Sequence, residues 1–310
     1  MKLIRGLHNL QPYSQGCILT IGNFDGVHRG HQQLLNLLIQ SAKQLHIPAV
    51  AMTFEPHPKE YFATQALPPR LSSIREKMTL LQEIPINHLI CLSFNQRFAN
   101  LSAQAFVETI LVEKLNIRQL IIGEDFQFGR DRQGNFNYLL AMAKKYHFSV
   151  IQAPTLYEGE QRISSSLIRE LLTNGDLQTA QQLLGRRYSM VGRVVKGHQR
   201  GRLIGFPTAN INLHRAISPL LGVYAVEIYG VGQSPLYGVA NLGSRPTVDG
   251  SNTLLEVHIF DFNQEIYGRH LHVDFCKKLR NEQKFSSVEQ LKQQIITDAE
   301  QAKQFFNKYF

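Results

Sequence analysis

The segment that most constrains this fold is TIGNFDGVHRGH, residues 20–31. It follows an apolar run, Cys17–Ile21, that is typical of a short buried strand, and it precedes the apolar spacing of a long amphipathic helix. Glycines and polar residues break the pattern between them. A helix N-terminus presents unpaired N–H groups and a partial positive charge, and glycine lets backbone approach a ligand closely. The segment therefore predicts a phosphate site at a strand–turn–helix junction, with His28 and His31 beside it.

The same segment matches every fixed position of the pattern GxFDGxHxGH. It resembles the HxGH nucleotidylyltransferases, most closely their flavin-nucleotide version, whereas a G-x-G-x-x-G fingerprint and a Walker A run are absent. A single histidine is usually a surface or hydrogen-bonded residue, but two histidines separated by glycine at a helix start favour a functional site. The resemblance implies that His28 and His31 stabilise negative charge on an α-phosphate. It places Gly22, Asn23, Phe24, Asp25, Gly26 and Gly30 around the nucleotide.

Composition indicates a globular chain of two domains. Its 310 residues exceed what one core usually supports, and 43% hydrophobic with 18% charged residues is typical of a folded chain. The net charge of +9 fits anionic substrates such as ATP, and it also fits nucleic acid. Because the basic residues are scattered rather than collected in runs, we expect no nucleic-acid partner.

The cysteines and the N-terminal residues bear on location. Cys17, Cys91 and Cys276 lie far apart without a CxxC pair, which argues against a disulfide framework and a zinc site and favours a reducing cytoplasm. The first residues lack the apolar core of a signal peptide, and no run approaches the roughly 18 apolar residues of a membrane span. We expect a cytoplasmic chain without a membrane partner, as a monomer or weak oligomer.

Strands and helices alternate up to about residue 184. Strands are predicted at 18–22, 48–54, 88–94, 119–123 and 148–152, and helices at 31–46, 73–83, 102–115, 135–146 and 175–184. The alternation predicts a Rossmann-like α/β domain, with a parallel sheet covered on both faces and ligands at the carboxyl ends of its strands. We therefore predict one domain over 1–184 and another over 185–310.

Two loops at those strand ends carry further candidates. Glu55-Pro-His57-Pro follows the second strand, where the prolines would fix the directions of the two polar side chains, although a rigid turn explains the same residues. A later loop carries Asp125, Phe126 and Phe128, whose rings could stack on a flat ligand or fill the core. By the resemblance Asp125 contacts the nucleotide. We assign Glu55, His57, Phe126 and Phe128 to flavin binding.

A serine run between two arginines predicts a second phosphate site. Ser164, Ser165 and Ser166 are typical of a helix start, with Arg162 and Arg169 on either side. A capped helix with solvated arginines is the plain alternative. The segment resembles the RxSSTxxR motif of the same enzymes, with Ser166 where threonine is usual. The resemblance implies that this segment holds the pyrophosphate end of ATP.

After residue 184 the pattern changes to short β-rich segments separated by Gly, Pro or Asn. They lie at 188–196, 222–229, 237–242, 254–262 and 270–275 and predict a closed antiparallel β-barrel. A final amphipathic helix over 287–306 is predicted to carry an apolar side formed by Val288, Leu291, Ile295, Ile296, Ala299 and Ala302.

Two constellations in this half suggest chemistry. A glycine-rich loop at 196–205 lets backbone amides approach phosphates, and Pro207 fixes the chain just before Thr208 and Asn210. These two residues alternate along an extended segment, so their hydroxyl and amide oxygens face one way and suit Mg²⁺, which keeps most of its water. Glu256 is a charged residue inside an apolar strand, where a carboxylate can orient a substrate hydroxyl or take its proton.

These segments resemble the riboflavin kinase domain through GFPTAN at 205–210 and the glutamate before an F-D-F…Y-G run. Together with the first motif, the resemblance covers nearly the whole chain and is to the bifunctional prokaryotic riboflavin kinase/FAD synthetases. It implies transfer of the ATP γ-phosphoryl group to riboflavin, giving FMN, then of AMP from a second ATP to FMN, giving FAD and pyrophosphate, with Mg²⁺ as cofactor. It also assigns Lys196, Gly197, Gly201, Gly205 and Pro207 to the phosphates, and Asn241, Arg245 and Arg280 to the flavin.

Two other interpretations stay open. In one, the first half adenylylates a different phosphate ester and the second half only binds flavin. In the other, the chain is a flavin- or RNA-binding module with inactive sites, which tight RNA binding at physiological salt without turnover would support. The intact His28, His31, Thr208, Asn210 and Glu256 count against the second interpretation.

Overall fold

The computed structural model describes residues 1–63, 68–197, 201, 205–213, 215, 217–247 and 250–307. The chain forms two compact units, the first from Met1–Pro68 with Lys77–Ser164 and the second from Pro69–Glu76 with Ser165–Phe310. The second unit thus begins earlier than the predicted boundary at 184/185 and takes in a short piece of the first half. That boundary stays a prediction of where the two functions divide.

The first unit contains a six-stranded parallel sheet, as the alternating pattern predicted. Its strands are β1 (Lys2–Arg5), β2 (Cys17–Ile21), β3 (Ala49–Glu55), β4 (His88–Ser93), β5 (Ile117–Ile122) and β6 (Ser149–Gln152). They are ordered β1-β4-β3-β2-β5-β6, and all neighbouring pairs are parallel. All of β2 is buried, because a central parallel strand is covered on both faces. The sequence did not predict β1, which is short and only partly buried.

Helices cover both faces of this sheet. They are α1 (Arg29–Leu45), α2 (Pro58–Tyr61), α3 (Ile74–Gln82), α4 (Gln96–Ala99), α5 (Ala103–Ala105) and α6 (Phe136–Tyr146). The predicted helix over 102–115 does begin after a Ser102 cap, but it continues from Phe106–Lys114 as a π-helix. A two-stranded hairpin, β7 (Tyr157–Glu158) with β8 (Gln161–Arg162), was not predicted.

The second unit contains the closed antiparallel barrel that the sequence predicted. Its elements are α7 (Ser165–Asn174), α8 (Leu177–Leu184), β9 (Ser189–Val195), β10 (Ala209–Asn212), β11 (Gly222–Tyr229), β12 (Leu236–Thr247), β13 (Gly250–Ile259), β14 (His270–Arg280) and α9 (Val288–Asn307). The strands close in the order β10-β13-β12-β11-β14-β9. The sequence had indicated β10 only as an extended segment.

Segment Pro69–Glu76 belongs to the barrel unit because buried polar contacts hold it there. The Tyr188 hydroxyl donates to Leu71 O at 3.0 Å, and the Glu76 carboxylate accepts from Val191 N at 2.7 Å. The buried Arg215 forms an ion pair with the same carboxylate. Such contacts across long sequence separations leave no local signal, which explains why the sequence assigned this segment to the other half.

Helix α9 buries only part of the apolar side that was predicted for it. Val288 is 58% exposed, whereas Asp298, Ala302 and Phe306 are buried. The Phe306 ring packs on Tyr237 with centroids 4.5 Å apart, and Asp298 is ion-paired with Arg280 of β14. Ala302 of the predicted apolar side is therefore buried and Val288 is not, and Asp298, which was not predicted to be buried, is buried with its partner Arg280.

Among the described residues, no helix has both the length and the apolar character needed to cross a membrane. Cys17, Cys91 and Cys276 carry free thiols.

Candidate active sites

The first candidate site lies where strand order reverses in the parallel sheet. Strands β3 and β4 lie to one side of β2, and β5 and β6 lie to the other. In open α/β sheets, ligands bind at the carboxyl ends of the strands at such a reversal. The turn at 22–31 follows β2, and the loop with Asp125 follows β5. The topology thus brings two of the predicted nucleotide segments to one crevice.

The backbone of the turn at 22–31 is strained, and burial and hydrogen bonding hold the turn against the sheet. Phe24 and Val27 have φ angles of 47° and 41°, and Gly26 has 79°. A positive φ is rare for a β-branched residue such as valine and is commonly found at functional sites. Gly22 N donates to Met52 O at 3.0 Å, and the turn is further buried through Phe24, Asp25 and Val27. The Gly-rich turn is therefore held in a single shape before any ligand arrives.

His28 and His31 form a stacked pair at the start of α1. Their ring centroids lie 3.7 Å apart with an 18° interplanar angle. Nδ1 of the N-cap residue His28 accepts from His31 N at 3.3 Å, so the hydrogen of the neutral His28 ring is on Nε2. A Cβ at Gly30 would lie 3.2 Å from the His28 ring, so only glycine leaves that ring full room.

Burial lowers the pKa of His31 well below 6.5, and the neighbouring His28 and Lys77 act in the same direction. His31 is therefore neutral at pH 7. Lys77, which is 4% exposed, was not predicted to influence this site, and its sequence context gives no signal of it. In the described part of the chain, Asn23 Oδ1 and His31 Nδ1 are buried polar atoms with no hydrogen-bond partner. Buried polar atoms are nearly always paired, so a bound water or a polar ligand would satisfy these two.

The predicted flavin residues of this unit have mixed surroundings. Glu55 ends β3 and is half-buried, and His57 caps α2, its Nδ1 accepting from Lys59 N at 3.0 Å. Phe128 is 8% exposed and packs in the core, where Phe126 stacks on it with centroids 5.6 Å apart. The core explanation therefore fits Phe128 better than the half-buried Phe126.

A cluster of aromatic side chains close to Glu55 and His57 in the sequence was not predicted. Its rings contact one another through centroid distances of 5.2 to 5.8 Å: Phe54, Tyr61, Phe62, Phe94 and Phe98. Phe62 ends the cluster with 62% of its surface exposed. Phe94 directly follows the carboxyl end of β4, so a search of the strand-end loops for aromatic residues would have found it.

The arginine–serine motif is divided between the units. In the first unit, Arg162 forms a 3.0 Å ion pair with Asp125, and both side chains are exposed. Ser164 ends that unit, and Ser165 and Ser166 form the first turn of α7 in the second. There Arg169 Nε donates to Pro69 O at 2.7 Å. The pyrophosphate role of the motif stays a prediction.

The second candidate site is a row of polar residues on the barrel. Asn210 of β10 pairs with Glu256 of β13, which pairs on its other side with Asn241 of β12. Residues paired in this way share one face of a sheet. Leu255 and Val257 alternate with Glu256 and are 0% exposed, so the polar row lies on the outer face of the barrel. Three residues predicted separately thus lie side by side.

Part of the glycine-rich loop packs directly on this row. A Cβ at Gly197 would lie 2.3 to 2.6 Å from the amide atoms of Asn210. A Cβ at Gly201 would lie 2.3 Å from Phe206 O and 3.5 Å from the Thr208 hydroxyl. Gly197 therefore lies against the Asn210 amide, and Gly201 lies near the Thr208 hydroxyl.

The remaining predicted residues of this half are more scattered. Gly205 has a φ of 90°, and Lys196 Nζ lies 5.9 Å from the Tyr267 ring centroid. Pro207 is exposed, and its carbonyl bonds to His258. Arg280 donates to both carboxylate oxygens of Asp298 at 2.9 to 3.0 Å. The side chain of Arg245 and residues 198–200 and 202–204 lie outside the described part of the structure.

Comparisons with known proteins match both halves of the chain to known families. The FAD synthetase family model matches residues 10–167 and the riboflavin kinase model matches residues 184–306. The chain is 48% identical to the bifunctional riboflavin kinase/FMN adenylyltransferase of Escherichia coli (strain K12), over 99% of this chain and 98% of that one. It is 50% identical to the protein of the same name from Haemophilus influenzae, over 99% of this chain and 100% of that one.

A solved structure shares the two-domain fold. It is described as a macrolide-efflux protein from Streptococcus pneumoniae, with a TM-score of 0.81, 32% identity and coverage of 96% of this chain and 97% of that one. The family models and the curated relatives do not share the activity in that description. From its two matched domains and its full-length relatives, this chain belongs to the family of bifunctional riboflavin kinases/FMN adenylyltransferases.

Proposed function

We propose that this chain phosphorylates riboflavin with ATP in its C-terminal half and adenylylates the resulting FMN in its N-terminal half. The observation that carries the proposal is that each half holds its own constellation for handling phosphate. One has Asn210, Glu256 and Asn241 side by side on three strands, with Gly197 against Asn210. The other has the stacked His28 and His31 at a helix start.

In the kinase half, Glu256 is proposed to accept the proton of the riboflavin 5′-hydroxyl. The hydroxyl oxygen then bonds to the γ-phosphorus of ATP, the bond to the β–γ bridging oxygen breaks, and ADP leaves. Phosphoryl transfer depends mainly on positioning and charge neutralisation, which one carboxylate and the amides of a covering loop can provide. Asn241 lies beside Glu256 in register and is proposed to help hold the flavin.

The residues present fit Mg²⁺ as the cofactor of this half. Thr208 and Asn210 offer neutral oxygens, and the Gly197 and Gly201 backbone lies against them. Mg²⁺ usually binds one or two protein oxygens together with substrate phosphates and water, so a larger ligand set is not needed. In the described residues no group of three His, Cys, Asp or Glu side chains could hold a metal. When bound with ATP, the ion would neutralise phosphate charge.

In the adenylyltransferase half, a phosphate oxygen of FMN is proposed to attack the α-phosphorus of ATP directly. The bond to the α–β bridging oxygen breaks and pyrophosphate leaves, without a protein nucleophile. His28 would donate from Nε2 to the negative charge that builds on the α-phosphate. The exposed Arg162 can exchange its ion pair with Asp125 for a phosphate oxygen, because surface pairs are weak.

A single incubation tests the whole proposal. Purified protein is incubated with riboflavin, ATP and Mg²⁺, and the products are separated by chromatography over time. We expect FMN first and FAD later. FMN alone would limit the proposal to the second half, and neither product from folded protein would reject it.

We also expect a cytoplasmic location, which the free cysteines favour. We expect no nucleic-acid partner. The chain is expected to be a monomer or a weak oligomer.

A further inference from the structure

His258 lies beside the proposed metal ligands without belonging to them. It follows Glu256 by two residues on β13 and so shares its outward face. Ala209 pairs with Val257, which places His258 beside the point where the chain enters β10. Its ring also packs edge-on against Phe206, with centroids 5.3 Å apart.

The hydrogen bond of His258 has only one possible direction. Nδ1 lies 2.9 Å from the carbonyl oxygen of Pro207, and a carbonyl oxygen can only accept. His258 therefore carries a hydrogen on Nδ1 and donates it. Because Pro207 O belongs to the peptide group that leads into Thr208, this bond fixes the plane of the peptide from which the Thr208 side chain projects.

The backbone next to Pro207 makes a second hydrogen bond. Phe206 N donates to Gly201 O at 2.8 Å. Two hydrogen bonds thus hold the residues just before Thr208, one from Phe206 to Gly201 and one from His258 of β13 to Pro207. Without the second, the peptide before Thr208 could rotate, and the Thr208 hydroxyl would lose its alignment with Asn210.

We propose that His258 is a positioning residue for riboflavin phosphorylation, which sets the Thr208 hydroxyl for Mg²⁺–ATP by holding the Pro207 carbonyl. The inference rests on the kinase function proposed above. His258 acts through Pro207 and Thr208, so the affected quantity is the use of ATP rather than the binding of riboflavin.

Two amide substitutions of different length, together with alanine, test this role. In His258→Asn the side-chain Nδ2 occupies nearly the place of Nδ1, whereas in His258→Gln the amide lies one bond farther out. We expect His258→Asn to keep kcat/KM for ATP within about threefold of the wild type, and His258→Gln and His258→Ala to lose about tenfold or more, mainly through a higher KM for ATP. Riboflavin affinity, measured by quenching of flavin fluorescence, should not change. Conversion of supplied FMN to FAD by the same preparations checks the first half of the chain.

Each outcome decides the question. Similar activity of all three variants and the wild type would reject the inference, and so would equal losses in His258→Asn and His258→Gln, because the Nδ1 donor would then not be the relevant feature. If His258→Ala does not fold, the Asn and Gln pair still gives the answer. A wild-type chain that makes no FMN would reject the proposed function itself, whereas an active wild type with unaffected variants rejects only the role of His258.

Discussion

The imidazole rings of His28 and His31 are stacked with centroids 3.7 Å apart, and Nδ1 of His28 accepts the backbone N–H of His31. The two rings therefore have unequal roles. Nδ1 of His28 accepts this hydrogen bond, which places the ring hydrogen on Nε2, while His31 lies in surroundings that keep it neutral. This geometry suits a neutral histidine that donates a hydrogen bond to a phosphate. It does not suit two positively charged histidines that form ion pairs with one.

Replacing His28 should therefore abolish one activity and spare the other. We expect His28→Ala to reduce conversion of FMN to FAD by about 100-fold or more, the usual cost of removing one donor to developing charge. FMN formation from riboflavin should stay at the wild-type rate, measured in the same chromatographic assay. His46→Asn is the matched control, since His46 is exposed at the other end of α1 and asparagine tolerates its left-handed conformation. Loss of both activities in folded His28→Ala would contradict the assignment of separate sites.

The lowered pKa of His31 makes stability depend on pH in a defined direction. Below about pH 6.5 the unfolded chain takes up a proton at this histidine, whereas the folded chain does not. The free energy of unfolding should therefore decrease as the pH falls below 6.5, by at most about 1.4 kcal/mol per pH unit from this group. Urea unfolding between pH 5 and pH 7 measures the slope, which should be smaller in His31→Gln. Equal slopes in the two proteins would show that His31 titrates normally.

Glu256 gives the converse prediction for the barrel half. Glu256→Gln keeps the size of the side chain but removes the proton acceptor beside Asn210 and Asn241. We expect FMN formation to fall by about 100-fold, within the range that general bases contribute, while supplied FMN is still converted to FAD. Glu300→Gln, an exposed change on α9, should leave both rates unchanged. Normal FMN formation by Glu256→Gln would show that this carboxylate is not the base.

Much of the fold could be predicted because its signals are local. Periodic apolar spacing marks β2 to β5 and α1, and turn residues separate the barrel strands, so element types follow from short windows of sequence. The burial of Asp298 on α9 could not be predicted this way, since its partner Arg280 lies on β14. The same reason applies to Pro69–Glu76, whose partners Tyr188, Val191 and Arg215 are far away in the sequence.

The candidate sites show the same limit. Motifs identified His28, Asn210 and Glu256, because particular residue types at fixed spacing carry the chemistry. No spacing rule reveals Lys77, which influences His31 from another helix, or the aromatic cluster that ends at the exposed Phe62. Lys77 lies on α3, whereas the rings lie on or beside β3, β4, α2 and α4, so only the folded chain brings each of them to its neighbours.

The ion pair of Arg280 with Asp298 should contribute to the stability of the barrel unit. The side chains are 16% and 4% exposed, and removing one partner leaves the other charge poorly solvated. We expect Asp298→Ala to lower the free energy of unfolding of this unit by about 3 kcal/mol, measured by urea unfolding. Glu300→Ala, on the same helix but exposed, should change it by less than about 0.5 kcal/mol. A similar small effect at Asp298 would mean that water replaces the lost carboxylate without cost.

Gly197 offers a steric test of the loop beside Asn210, one of the proposed metal ligands. A Cβ there would lie 2.3 Å from Asn210 Nδ2 and 2.6 Å from its Oδ1, far inside van der Waals contact. In Gly197→Ala the amide of Asn210 or the loop must therefore move, and we expect the KM for ATP in riboflavin phosphorylation to rise about tenfold or more while FAD formation from FMN stays normal. Gly232→Ala is the matched control, because a Cβ at Gly232 meets no atom within 4 Å. An unchanged KM for ATP in Gly197→Ala would mean that Asn210 can give way without consequence, and that its amide does not hold the metal–nucleotide complex.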